Sequence, residues 1–292
     1  MNARPPFALS VTVPNVVICD IKLTAQTDEV WFLLRSDVHW DNPHCDRKME
    51  KRHLDMAVKR RAGILDFGDL FCAMQGKYDK RSDKSCLRDE HQAGDYLDSL
   101  VRTAAAYYEP YAHNFVVIGR GNHESSIRQR HETDLTERLV ASLKDRTGAQ
   151  LRAGGYTGWV VFRFHFHTRI YVVKLWYIHG YAGGGPVTAD IIQAQRQVTY
   201  IRGADIMCSG HTHDHWSKQY VSIGLNSSHL PEHRKVKYIK CGTYKDEYGT
   251  GQGGWHVETG KPPKPIGQHW LRFMPERTGK ALKVKFEVTD AE

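Results

Sequence analysis

Seven metal-donor residues and one further imidazole lie where apolar runs of this chain give way to turns. They are Asp37 and His39 in Ser36-Asp37-Val38-His39, Asp69 in Gly68-Asp69-Leu70-Phe71, Asn122 in Gly119-Arg120-Gly121-Asn122-His123-Glu124, His179 in His179-Gly180, and His211 and His213 in Gly210-His211-Thr212-His213. Any one of these junctions alone reads equally well as a polar turn at a strand end. Together they form a set. Imidazole, carboxylate and amide donors suit a borderline divalent cation, and seven protein ligands are too many for one catalytic ion. Two cations sharing one bridging carboxylate is the economical arrangement. Such ions, about 3.5–4 Å apart, make a shared water acidic enough to attack at neutral pH and clamp phosphoryl oxygens for in-line displacement. No serine or cysteine nucleophile is then needed. His123, beside the set, is placed to stabilise or protonate a leaving oxygen as general acid.

The elements that must position these residues follow from periodicity. Glu29 to Arg35, Gly63 to Phe67 and Phe115 to Ile118 are short β-type runs ending at the first three junctions. Asp37 and His39, two apart, share a face if strand geometry continues through them. Arg47 to Arg61, Asp89 to Tyr108 and the segment from Leu135 to Gly148 carry apolar residues at helical spacing. Trp159 to Phe166 and Arg169 to Ile178 read as a hairpin in which His165 and His167 are ordinary strand residues. The second strand of that hairpin ends at His179 and a glycine-rich loop. A helix near Val187 to Ile201 precedes the run Ala204 to Cys208 and the paired histidines. Probable closing strands lie near Lys218 to Ile223, Arg234 to Lys240, Trp270 to Met274 and Ala281 to Thr289. The N-terminal stretch, with Pro5, Pro6 and Pro14, reads as irregular chain or an edge strand, and Gly76 to Leu87 as a charged, exposed loop.

Strand-helix alternation followed by β-rich sequence implies a four-layer α/β/β/α sandwich, two mixed sheets face to face with helices outside. Residues 1–292 form a single domain in this reading, with the motif-bearing core at about 29–245 and strand extensions at both ends. Composition is that of an ordinary globular chain, 40% hydrophobic and 25% charged. No run of about 18 apolar residues suggests a membrane span, and Met1 to Val17 does not resemble a secretory signal. The six cysteines are scattered without a Cys-x-x-Cys pair, which points to reduced thiols and a cytoplasmic setting. A formal charge of +8 favours polyanions and phosphates, or serves solubility alone.

The order Asp-x-His, Gly-Asp, Gly-Asn-His-Glu, a lone His, then Gly-His-x-His resembles the calcineurin-like metallophosphoesterase superfamily, with all five motifs in sequence from Asp37 to His213. The resemblance implies that Asp37, His39 and His213 hold one metal, that Asn122, His179 and His211 hold the other, and that Asp69 bridges. It places His123 on the substrate rather than on a metal. The implied cofactors are two divalent ions, Mn first, with Fe, Zn, Ni or Mg as others. One departure stands out. The superfamily's serine/threonine phosphatases have an Asp three residues after Gly-Asp that orients the histidine, and here that position is Cys72, a poor acceptor. Gly-Asp-Leu-Phe is closer to SbcD-type nucleases. The expected partner is a phosphate-ester substrate such as DNA, RNA or a nucleotide, with a phosphodiesterase as the leading reading, a phosphomonoesterase as the alternative, and a non-catalytic scaffold of the same fold as a third. Arg120 and Arg128 are candidate phosphate contacts by their planar guanidinium groups. Glu124 either orients neighbouring groups or merely begins the next turn. Asp41, His44, Asp214 and His215 are candidates to support the ligands from behind.

Overall fold

The computed structural model describes residues 4–74, 87–92, 94–181, 185–249, 253, 255–278 and 281–291. The charged loop expected over 76–87 falls almost wholly outside these, as do residues 182–184 of the glycine-rich loop. In chain order the elements are β1 (Phe7–Val13), β2 (Val16–Leu23), β3 (Val30–Arg35), α1 (Arg47–Lys59), β4 (Gly63–Asp66), α2 (Tyr96–Tyr108), β5 (Phe115–Ile118), α3 (Asn122–His131), α4 (Leu135–Thr147) and β6 (Arg152–Ala153). There follow β7 (Thr157–Phe166), β8 (Arg169–Ile178), α5 (Ile191–Tyr200), β9 (Ile206–Ser209), β10 (Trp216–Leu225), β11 (Pro231–Lys240), α6 (Trp255–Glu258), β12 (Gln268–Thr278) and β13 (Ala281–Ala291).

These strands build two mixed sheets, one ordered β13-β12-β3-β4-β5-β6 and the other β1-β2-β7-β8-β9-β11-β10. Their inner faces meet. Phe32 and Leu34 on β3, Leu65 on β4 and Val117 on β5 pack with Phe162 and Phe164 on β7 and Leu175 and Tyr177 on β8. The alternate residues of the same strands, Leu33 and Ile64, point the other way, against Leu54 and Ala57 of α1, Leu100 and Ala104 of α2, and Leu139 and Leu143 of α4. This period-two division is why β3 to β5 read as unbroken apolar runs: a strand covered on both faces has no polar side. On the far side, Ala194 of α5 packs with Trp176, Met207 and Tyr238. The result is the expected α/β sandwich, each fully buried Leu or Phe contributing about 1.5–3 kcal/mol.

The N-terminal stretch is more regular than its prolines suggest. β1 is indeed an edge strand, but β2 lies inside the sheet, antiparallel to β1 and parallel to β7. Its alternation of Val17, Cys19, Ile21 and Leu23 inward is a clear strand pattern that sequence reading passed over. β3, β4 and β5 run parallel, as do β8 and β9, so the turns that follow them gather along one rim.

Candidate metal centre

The turns on that rim are held in backbone conformations that aim short polar side chains inward. Asp37, His39, Asp69, His211 and His213 all have positive φ, between 49° and 75°. Side chains other than Gly, Asn, Asp and His rarely adopt this region, and clusters of it mark functional sites. The expectation that Asp37 and His39 share a face because β3 continues through them is therefore corrected. β3 ends at Arg35, and each of the two residues reverses the backbone individually. Main-chain bonds lock this path: the N–H of Asp37 donates to Gly68 O at 2.9 Å and that of His39 to Asp69 O at 3.0 Å. Close approach also explains two glycines. A Cβ on Gly121 would stand 2.0 Å from Asp69 Oδ1, and one on Gly210 would stand 2.3 Å from Asp37 Oδ2.

The structure brings all seven donors together in two adjoining groups. In the first, His39 Nε2 and His213 Nε2 face each other at 3.1 Å, and His213 Nε2 lies 3.4 Å from Asp37 Oδ1. In the second, His179 Nε2 is 3.1 Å from both Asp69 Oδ2 and Asn122 Oδ1, and His211 Nδ1 is 2.8 Å from Asn122 Oδ1. Asp69 belongs to the second group, its Oδ2 also facing His123 Nε2 at 3.7 Å.

The bonding pattern fits a cation. His179 Nδ1 is within 3.1 Å of the Phe67 carbonyl, to which it donates, so in the neutral ring Nε2 is the nitrogen left to ligate, and it faces Asp69 Oδ2 and Asn122 Oδ1. With the ring neutral these lone pairs need a cation among them; with the ring protonated, Nε2–H bonds Asp69 instead. Asp37 Oδ1, His39 Nδ1 and His213 Nδ1 are buried without a hydrogen-bond partner. Without an ion, His179 and Asp69 balance each other's charge. Burial opposes charge on Asp69, yet His179 and then His123 hold its carboxyl well below the usual range. Burial likewise opposes a proton on His179, but Asp69 raises its pKa to about 9. His39 is held neutral by burial and by His123 and His213 beside it, which leaves a ring nitrogen able to ligate.

His123 sits on the first turn of α3, a helix that sequence reading missed because Ile127 is its single apolar residue. Its N–H donates to Asp69 Oδ1 at 3.0 Å, and its ring lies edge-on to His39 with centroids 5.0 Å apart. The orienting partner missing from the sequence pattern is a main-chain group. His123 Nδ1 is 2.5 Å from the carbonyl oxygen of Cys72, whose thiol instead accepts from Asn42 Nδ2 at 3.4 Å. Sequence gave no signal for it, because every residue carries a carbonyl.

Glu124 orients its neighbours. Fully buried, it accepts from the N–H groups of Asp69, Phe71 and Gly121 at 3.2, 2.8 and 2.8 Å, tying the Gly-Asp turn to the Gly-Asn-His turn. Burial and then Asp69 raise its pKa to about 8. Asp41 accepts from the N–H groups of Cys72 and Ala73. Asp214 pairs with Lys264 at 2.6 Å, and His215 stacks on His269 and faces the Gln268 carbonyl at 3.0 Å. His44 is half-buried; its main-chain N–H donates to Asn42 Oδ1 and its carbonyl accepts from the Asp246 N–H, both at 2.9 Å. Arg120 and Arg128 both turn to Asp134, the N-cap of α4, at 2.6 and 3.7 Å. A further support unsuspected from sequence is Gln268 on β12, which exchanges two hydrogen bonds with the main chain of Ser36.

No protein-family model matches the chain, and no curated protein matches it. Among solved structures, vacuolar protein sorting 29 from Cryptosporidium parvum is similar at 13% identity and a TM-score of 0.35, over 90% of this chain and 98% of that one. GAP50, the anchor in the inner membrane complex of Plasmodium, is similar at 11% identity and a TM-score of 0.44, over 90% of this chain and 85% of that one.

Proposed function

We propose that this chain is a phosphoric ester hydrolase working with two divalent metal ions. The observation that supports this reading most directly is the gathering of Asp37, His39 and His213 beside Asn122, His179 and His211, with Asp69 against His179 and facing His123. Asp37, His39 and His213 would hold one ion and Asn122, His179 and His211 the other, with Asp69 shared. When bound, the ions supply an acidified water as nucleophile and neutralise phosphoryl charge.

The chain's own groups do the remaining work. His123 Nδ1–H, donated to the Cys72 carbonyl, fixes the ring so that Nε2 faces the cluster rather than the protein interior. From there Nε2 delivers a proton to the departing ester oxygen, the role for which a partly exposed imidazole beside buried ligands is suited. Glu124 and the positive-φ turns hold donor geometry without relying on the ions, which lowers the reorganisation needed at each turnover. Mn is the first choice of ion for this mixed donor set.

For substrate we infer a phosphodiester of a nucleic acid or nucleotide, supported by the formal charge of +8. Arg120 and Arg128 remain candidate phosphate contacts, available only if a substrate draws them from Asp134. A scaffold that had lost activity would be expected to lack some of these donors, and none is missing. Hydrolysis of bis(4-nitrophenyl) phosphate and of 4-nitrophenyl phosphate, each with Mn, Fe, Zn, Ni or Mg, tests the reading. Turnover of the diester in preference to the monoester supports it. Preference for the monoester moves the chain to the phosphatase reading, and no turnover with two ions bound per chain overturns hydrolysis altogether.

A further inference from the structure

The segment Asp69 to Ala73 carries two things the site depends on, the Asp69 carboxylate and the Cys72 carbonyl, and two buried carboxylates hold it by its main chain. Glu124 takes the N–H groups of Asp69 and Phe71. Asp41 takes those of the next two residues, Cys72 at 2.6 Å and Ala73 at 2.9 Å, and its Oδ2 accepts from Tyr96 Oη at 3.2 Å. Asp41 is 3% exposed, and Ala73 has a φ of 47°, a conformation that an alanine does not hold unaided. The peptide units after Phe71 and Cys72 are thus pinned at their nitrogens. The carbonyl of Cys72, part of the second of these units, is what His123 Nδ1 meets at 2.5 Å.

We propose that Asp41 is a positioning residue for His123, acting through the Cys72 main chain. The proposal rests on the phosphoesterase reading and deepens it. A side-chain acceptor brings its own orientation, whereas a carbonyl points only where its backbone is held. Without the two bonds from Asp41 the loop loses the restraint that keeps Ala73 at positive φ, the Cys72 carbonyl rotates, and the His123 ring is free to turn Nε2 off the leaving oxygen. Misplacement by about 1 Å costs on the order of a hundredfold in rate.

Asp41→Asn tests this, because it keeps the shape and replaces one anionic acceptor by an amide NH2 facing an N–H donor. The expected result with bis(4-nitrophenyl) phosphate and Mn is a kcat lower by about 10- to 100-fold, with KM and bound metal unchanged. In a His123→Ala background the same substitution should cost nothing more, since residues acting as one unit are not additive. A readout free of turnover is the imidazole N–H resonance of His123 in the proton NMR spectrum, expected downfield in the wild-type chain and lost or shifted in Asp41→Asn. If Asp41→Asn keeps full kcat, or lowers activity equally with and without His123, or leaves that resonance in place, Asp41 does not position His123. If His123→Ala itself retains full turnover, or the metal-loaded wild-type chain hydrolyses no ester, the phosphoesterase reading fails and this role falls with it.

Discussion

At the scale of single residues, chemistry was more legible than cause. Asp37, His39, Asp69, Asn122, His179, His211 and His213 were readable as a donor set because each follows a β-type run, and the structure gathers all of them. What they hold is tested by removing one: Asp69→Ala should bring bound Mn, measured by elemental analysis after gel filtration, to one ion or fewer per chain, because the proposed ions would share that carboxylate. His123→Ala should keep both ions and lower kcat by about 10²- to 10⁴-fold, the usual range for a lost general acid. Ligation requires neutral imidazoles, and Asp69 raises the His179 pKa to about 9 despite burial. Protons therefore compete with the metal below that value, and Mn affinity by calorimetry should climb as pH rises from 6 to 9. An affinity flat over that interval would show that no proton on His179 competes with the metal there. The partner of His123 was illegible for a physical reason, being a backbone atom whose direction depends on contacts made by Asp41, 31 positions away from Cys72.

At the scale of elements, strands buried on both faces declared themselves, and so did helices with an apolar stripe. α4 was placed to its last turn by its periodicity and by Gly148 as C-cap. α3 escaped notice for the opposite reason: Asn122-His123-Glu124-Ser125-Ser126 gives it almost no stripe, and it is held at its start by Glu124 bonding back to Gly121. The extended continuation assumed for Asp37 and His39 failed because main-chain bonds to Gly68 and Asp69, distant in sequence, set the turn. Tight packing of these turns makes a prediction at a glycine. Gly121→Ala puts a methyl group into the Asp69 carboxylate, so metal binding should weaken about 10- to 100-fold, as for other residues that orient ligands, while the circular dichroism spectrum stays that of the folded chain.

At the scale of the whole molecule, the sheets are joined by apolar packing, and a buried charged group supports one of them. Arg35, fully buried at the end of β3, meets Glu50 of α1 and Asp66 of β4 at 2.8 Å each, and Tyr108 of α2 donates to the same Glu50 oxygen at 2.5 Å. Arg35→Met would leave two carboxylates facing each other in the core, and should lower unfolding free energy by about 3–5 kcal/mol in urea. Bound metal would enter the same balance from the rim. Saturation at a hundred times the dissociation constant adds about 2.7 kcal/mol per site, so chelation should lower the melting temperature measurably. The division of donors between the sheets has a further consequence for biogenesis. Asp37, His39, Asp69 and Asn122 follow strands of one sheet, and His179, His211 and His213 follow strands of the other, so neither proposed ion pocket would have all its donors until ribosomal translation has passed His211. A stalled nascent chain ending earlier would offer only stray carboxylates and imidazoles to passing ions, and metal loading of the proposed centre would wait for the late strands.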